Sequence, residues 1–458
     1  MSDDLTNLSL AEATRQLKRG QLRARAYLEA HLAAIERHDR GLNAFLNVLA
    51  ESALQQADKA DAEHRAGRTL GPLHGIPFAI KDIIDIQGTP TTCHSSVAPT
   101  TNAVQDAQVV ARLRAAGAVI MGKTALHEFA TGGPSFDLPW PPARNPWNRD
   151  HHPGGSSSGS AVAVAARMAP AALGTDTAGS VRHPATACGI VGFKPTTAAI
   201  GTKGVFPLSW SLDHLGTLTR STRDAAIIFD SLRDPGVAFD LDTVQGTGDL
   251  TGHRIGVFEE FSTGATAEIS AAFFAALDLL RDLGAELIPL SVPLLAAYAG
   301  CGRLILQAES HALHQSWLQA RAEDYSQRGR TRLLAGRSID AASYINAQRM
   351  RRALTEQMEA ALSTVDAAVC VSSLTLPCRI DDPAEIDRTY DQQARTPFNL
   401  AGSPAVALPI GLSSSGMPMG MQVVGAARSD ARVLNVACIY EHAAAWSTRP
   451  PMLDPSKP

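Results

Sequence analysis

The chain has 458 residues, with 41 Lys and Arg against 45 Asp and Glu, a formal net charge of −4. No cationic excess exists to neutralise a phosphate backbone, so no nucleic-acid partner is expected. The 36 glycines and 27 prolines fall short of a collagen-like or disordered composition, and a chain of this length can bury a large core.

In chain order, Ser9-Leu10-Ala11-Glu12 predicts a capping box in which the Ser hydroxyl and the Glu carboxylate satisfy each other's backbone N–H groups. Leu10, Ala13 and Leu17 follow at helical spacing and Gly20 suits the stop. A second helix carries Leu28, Leu32 and Ile35 on one face. These N-terminal helices, residues 1–70, are expected to dock as a flap without chemistry. From residue 71 to 260, short apolar runs such as Phe78–Ile80 and Ala118–Met121 alternate with helical stretches, and the texture returns at Val369–Val371 and Ala405–Leu408. That alternation predicts an α/β protein with a large, mixed and mostly internal sheet flanked by helices. Residues 262–362 read as long helices rich in Ala, Leu, Arg and Gln, either a cap region over the sheet or ordinary packing helices. Residues 363–446 return to the core, and Ser447–Pro458 reads as a frayed tail. The whole chain, 1–458, is expected to form a single domain.

The six cysteines make no C-x-x-C pair and no zinc or disulfide spacing, so no metal is expected and reduced thiols fit a cytoplasmic protein. The N-terminus lacks an apolar signal core. The longest small-apolar stretch, Ala161–Leu173, is interrupted by Arg167 and is too short to span a bilayer, so no membrane partner is expected.

Two formal motif matches fail on context. Gly117 to Thr124 fits G-x-x-x-x-G-K-[ST], but a phosphate cradle needs a strand, then a loop whose amides face the anion. Here a helical run precedes Gly117 and the four intervening residues are strand-like, which leaves no loop. Gly155-Ser156-Ser157-Ser158-Gly159 fits the G-x-S-x-G elbow with Ser157 as nucleophile, but the two prolines and polar residues of 145–153 exclude the required preceding strand. A flexible-linker reading of the Gly/Ser run is countered by the Ala/Val helix that follows at once.

Gly154-Gly155-Ser156-Ser157-Ser158-Gly159-Ser160, followed by Gly174-Thr175-Asp176-Thr177-Ala178-Gly179-Ser180-Val181-Arg182, resembles the core of the amidase signature family. Gly71 to Asp82 resembles that family's lysine segment, and Gly192–Thr196, Gly204–Gly216, Thr396–Pro404 and Gly420–Gly425 resemble its later motifs. The resemblance spans residues 70–445 and implies an amidase-signature fold. It also implies a Ser–cis-Ser–Lys triad with Ser180 as nucleophile, Ser156 as bridging serine after a cis Gly155–Ser156 bond, and Lys81 as base. Backbone N–H groups of Thr177, Ala178 and Gly179 are the implied oxyanion donors, worth about 3–4 kcal/mol apiece when removed. Ser157, by orienting Ser156 or Lys81, and Asp176 with Arg182, by bracing the nucleophile turn, are supporting residues. Thr131-Gly132-Gly133 matches the loop beside the acyl site, and no cofactor is implied.

The chemistry explains the residue types. A serine hydroxyl needs an adjacent base, and a lysine serves only when neutral. Bringing its pKa to roughly 7–8 takes about 3–4 kcal/mol of destabilisation of the ammonium, which burial behind Phe78 and Ile80 would contribute. Ser156 would relay the proton from Ser180 to Lys81 and on to the leaving group. His151, His152 and His183 read as loop or packing residues. Thr217, Ala198-Ala199 and Ser158 depart from the family pattern without removing a triad atom.

The expected function is hydrolysis of small amides, including aryl amides and anilides, with esters and carbamates (urethanes) open to the same chemistry. The alternative is the glutaminase subunit of a tRNA-dependent amidotransferase working with a partner protein, and a third reading is a binding protein on an inactive scaffold. His214 in the SLDHLG stretch leans toward a free-standing amidase. Specificity is expected in residues 131–140, 300–350 and 370–380. The reading leaves homo-oligomerisation open.

Overall fold

The computed structural model describes residues 2–391 and 393–446; the tail expected to fray lies outside them. One sheet runs through the molecule, built from β1 (Phe45–Val48), β2 (Pro77–Lys81), β3 (Val119–Thr124), β4 (Ala171–Asp176), β5 (Val191–Lys194), β6 (His214–Thr219), β7 (Arg254–Val257), β8 (Glu286–Pro289), β9 (Ala367–Val371), β10 (Ala405–Leu412) and β11 (Pro418–Val424). Their spatial order is β1-β3-β2-β4-β6-β5-β10-β11-β9-β7-β8. β2 runs parallel to both β3 and β4, β7 runs parallel to β8 and β9, and the remaining pairs are antiparallel. Every residue of β2 to β6 is buried, which is why these strands read as continuous apolar or small-residue runs rather than alternating ones.

Two local expectations need correction. Ser9 caps its helix by accepting from Glu12 N (3.1 Å), but the Glu12 carboxylate turns to Gln16 (2.9 Å) and Arg15 instead of completing the box. The block at 262–362 is not wholly helical, because β8 lies inside it as a half-exposed edge strand. Its first helix, Ala267–Asp282, packs on β9, β10 and β11, whereas Leu295–Arg321 and Ala341–Leu362 pack on each other and on the short helix Thr396–Leu400.

Among the described residues no helix is long and apolar enough to cross a membrane. All six cysteines are free thiols. In the Gly117–Thr124 match, Gly122-Lys123-Thr124 sit inside β3, and Lys123 Nζ pairs with Asp82 (2.7 Å) in the interior.

The arrangement behind the sheet edge is fixed by the buried helix Ser158–Ala165, with all eight residues in the interior. A helix apolar all round belongs in a core. Gly159 lets it approach closely: a Cβ there would lie 2.3 Å from Ala44 O and 2.5 Å from Ala125 N, both main-chain atoms that cannot yield. Gly159→Ala is therefore expected to destabilise the protein by about 3 kcal/mol, read as a lowered midpoint in urea unfolding with an unchanged slope.

Candidate active site

Because β2, β3 and β4 are parallel neighbours, their carboxyl ends share one edge of the sheet, and Lys81, Thr124 and Asp176 end there. β6 runs the other way and begins at that edge, with His214 opposite Asp176. Ligand-handling groups collect at such strand ends because the turns beyond them are free of ladder constraints.

Lys81 is fully buried, and its Nζ donates to Ser156 Oγ (2.8 Å) and to Thr175 Oγ1 (2.7 Å). No carboxylate touches the amine among the described residues. Burial pushes its pKa down to about 7, against the pull of Asp213, Asp176 and Cys93, which favour the ammonium. The Gly155–Ser156 bond is cis. Ser180 stands at the end of β4's turn, half-buried, and its carbonyl accepts from Ser157 N (3.1 Å), tying the two serine turns together.

Ser157 does not reach Ser156 or Lys81. Its Oγ donates to Thr175 O (3.2 Å) and accepts from Thr175 N (3.3 Å), so it fixes the strand residue whose hydroxyl holds the amine. Asp176 gathers the turn that carries Ser180: Oδ1 accepts from Gly179 N (2.8 Å), Arg182 Nη2 (2.9 Å) and Asn399 Nδ2 (2.8 Å). Its Oδ2 accepts from Val181 N (3.1 Å) and from Arg182 N and Nε. Burial opposes its ionisation, but the Arg182 charge and these donors outweigh it and hold the carboxyl far below the usual range. Arg182 is itself buried, and its remaining donors go to Arg395 O, Gln422 Oε1 and Asn399 Oδ1.

Of the three expected oxyanion amides, Gly179 N–H is already committed to Asp176. Thr177 and Ala178 N–H have no protein acceptor among the described residues. Both residues line a cavity of about 300 Å³, together with Thr131, Arg332, Tyr390 and Asn399. Gly132 packs against the wall residue Arg332 and Gly133 against the helix Pro383–Asp391: added Cβ atoms would meet Arg332 Cδ at 2.9 Å and Ile386 Cγ2 at 3.0 Å. Of the segments expected to set specificity, 300–350 supplies Arg303, Leu306 and Gln307 to the cavity wall, and Pro134–Asp137 lines a wider groove outside it. Residues 373–378 line a separate small cavity with His152 and His183.

Sequence reasoning missed Thr175, Asp213, Asn399 and Tyr390. Asp213 is half-buried and accepts from Thr177 Oγ1 (2.6 Å), Leu208 N and Ser209 N, and desolvation raises its pKa to about 6. Thr175, Asp213 and Asn399 lie inside motifs already singled out; the pairing of β2 with β4 brings Thr175 to Lys81, and that of β4 with β6 brings Asp213 to Thr177. His214 is a buried structural group bonded to Leu212 O (2.7 Å), Asp176 O (3.2 Å) and Thr197 Oγ1 (2.7 Å).

The depressed Lys81 pKa has consequences for stability and for rate. Between pH 7 and 10.5 the unfolded chain holds a proton on Lys81 that the folded chain has released, so stability rises with pH across that window. At pH 7 the buried amine costs about 5 kcal/mol. Lys81→Met removes that cost but leaves two hydroxyls short of a partner at about 1–3 kcal/mol together. A net gain of about 2 kcal/mol at pH 7 is expected in urea unfolding; it vanishes about one and a half pH units higher, and near pH 10.5 the variant is the less stable by about 2 kcal/mol. If Lys81 acts as base, kcat/KM rises with pH through about 7, because the neutral amine is the active form. Asp213→Asn removes the foremost charge favouring the ammonium, so that limb should move about half a unit to one unit lower in a pH–rate profile.

The Amidase family profile matches residues 26–434. The A subunit of the glutamyl-tRNA(Gln) amidotransferase of Roseiflexus sp. (strain RS-1) is 36% identical, covering 98% of this chain and 99% of its own length. Among solved structures, one described as an amidase superposes with a TM-score of 0.87 at 34% identity, covering 95% of this chain and 99% of its own. The native peptide amidase from Stenotrophomonas maltophilia superposes with a TM-score of 0.85 at 30% identity, covering 97% and 98%. With its eleven-stranded sheet and these full-length matches, the chain belongs to the Amidase family.

Proposed function

We propose that this protein hydrolyses the C–N bond of small carboxamides through an acyl-enzyme on Ser180, without a cofactor. The observation that carries the reading is the fully buried Lys81 amine, hydrogen-bonded to Ser156 Oγ and, among the described residues, free of any contacting carboxylate. Such an amine is a base near neutral pH. Ser180 Oγ attacks the carbonyl carbon while its proton passes to Ser156 and that of Ser156 to Lys81. The carbonyl oxygen takes the negative charge, and the Thr177 and Ala178 N–H groups that border the cavity receive it. The relay reverses to protonate the departing nitrogen, the acyl ester forms, and water repeats the sequence to release the acid. Asp176 and Arg182 hold the turn that carries Ser180 and the amides.

Arg303, Gln307 and Arg332 on the cavity wall favour substrates with polar or hydrogen-bonding acyl groups. Carbamates and esters would pass through the same tetrahedral oxyanion.

A second reading is supported by the full-length similarity to amidotransferase A subunits: the site would hydrolyse glutamine and deliver ammonia to a partner protein. A panel of primary amides, anilides, nitrophenyl esters, carbamates and glutamine, assayed with the purified chain alone, separates the two. Turnover of simple amides with little glutaminase activity supports the free-standing enzyme; inertness of the chain alone toward the whole panel, with glutamine-dependent ammonia release only when a partner protein is added, would favour the partner-dependent glutaminase. Ser180→Ala is expected to lower turnover at least about 10³-fold with an unchanged circular dichroism spectrum, and retained activity would remove Ser180 from the mechanism.

A further inference from the structure

A layer of aromatic and imidazole rings lies against the backbone of the bridging-serine turn, and the proton relay does not use it. His127, His152 and His183 are buried, with ring centroids 5.4 Å apart for His127–His152 and 5.7 Å for His152–His183. Tyr390 closes the layer, 5.7 Å from the His183 ring and 6.1 Å from that of His127. Among the described residues no imidazole nitrogen bonds Ser156 Oγ or Lys81 Nζ, so these rings move no proton in the relay.

The layer meets main chain. The backbone N–H of His127 donates to Ser156 O (3.1 Å), and Gly154 N–H donates to His152 Nδ1 (3.1 Å). Between them, the His127 ring rests on Gly155 so closely that a Cβ there would lie 2.1 Å from its Cε1. The opposite side of the turn is filled by the helix that follows Ser180: a Cβ on Gly154 would lie 2.6 Å from Pro184 Cα. Ser156 is thus clamped between the nucleophile's own helix and the imidazoles.

The outer end of the layer faces the cavity. The Tyr390 hydroxyl hydrogen-bonds His127 Nδ1 (3.1 Å), and Tyr390 lines the same cavity as Thr177 and Ala178. The guanidinium of Arg332, another wall residue, lies 5.3 Å over the Tyr390 ring. A group that packs against this wall therefore meets a chain of contacts three residues long that ends on the backbone of Ser156. Proton transfer is sensitive to such placement: an error of about 1 Å costs on the order of 10²-fold in rate.

We propose that Tyr390 and His127 are positioning residues, coupling the wall of the acyl cavity to the orientation of the bridging Ser156. This rests on the Ser180 acyl-enzyme reading. The test is phosphonylation of Ser180 by a fluorophosphonate over a concentration series, which separates the maximal rate from the half-saturating concentration. Tyr390→Phe keeps the ring and the packing while removing one hydrogen bond, and His127→Leu removes its partner. Each is expected to lower the maximal rate about tenfold with the half-saturating concentration within about twofold. The double variant should lose no more than either single one, the signature of residues acting as one unit. His127→Asn, which presents Oδ1 near the place of Nδ1, should stay within about threefold of the parent.

A loss confined to the half-saturating concentration, or losses that multiply in the double variant, would overturn the coupling. If the parent protein is labelled and Tyr390→Phe is labelled equally fast, the coupling fails alone. A parent protein that resists labelling overturns the acyl-enzyme reading, and the coupling with it.

Discussion

Keeping an amine dry at the end of β2 is the constraint to which much of this architecture answers. In water an ammonium is so well solvated that only removal of that solvent makes a lysine a base near neutral pH. The sheet achieves this by placing Lys81 on a strand buried along its whole length and giving it two hydroxyls in place of a counter-charge. The neighbouring strand shows the other outcome. Lys123 on β3, equally buried, meets Asp82 at 2.7 Å and forms an ion pair. Two lysines at one edge thus take different roles according to whether a carboxylate is within contact.

The turn that carries Ser180 is governed by a second constraint, the satisfaction of one buried carboxylate. Asp176 gathers three backbone amides, a guanidinium and a side-chain amide. A buried charge left short of partners would be costly, so the turn cannot rearrange without breaking several charge-assisted bonds together. Gly179 follows from the same crowding. It adopts φ +120°, and a Cβ there would lie 2.6 Å from Arg395 Nε, so both conformation and space call for glycine.

Much of the frame was legible in the sequence because apolar runs such as Phe78–Ile80 and Ala405–Leu408 are strands in any context that buries both faces. The residues Lys81, Ser156 and Ser180 stood out through motif spacing, and the Gly117–Thr124 match could be set aside because a helix and a strand flank its first glycine. What stayed hidden depends on pairing. β1, β7 and β8 are four residues long and owe their state to neighbours. Thr175 meets Lys81 across β2 and β4, Asp213 meets Thr177 across β4 and β6, and Gly132 and Gly133 pack against Arg332, Arg328 and Ile386, far along the chain. Ser157 was read as a neighbour of the amine because it is adjacent in sequence to Ser156; the turn sends its hydroxyl to the Thr175 backbone instead.

Arg182 donates to Gln422, 240 residues away, and Asp176 accepts from Asn399, 223 residues away. The nucleophile turn therefore lacks two of its fixed partners until β10 and β11 have joined the sheet. During synthesis the ribosome releases the Lys81 and Ser180 segments long before the residues that brace them. A nascent or truncated chain carries Lys81, Ser156 and Ser180 but not the partners that fix their turn, so this arrangement is assembled only once translation is all but complete.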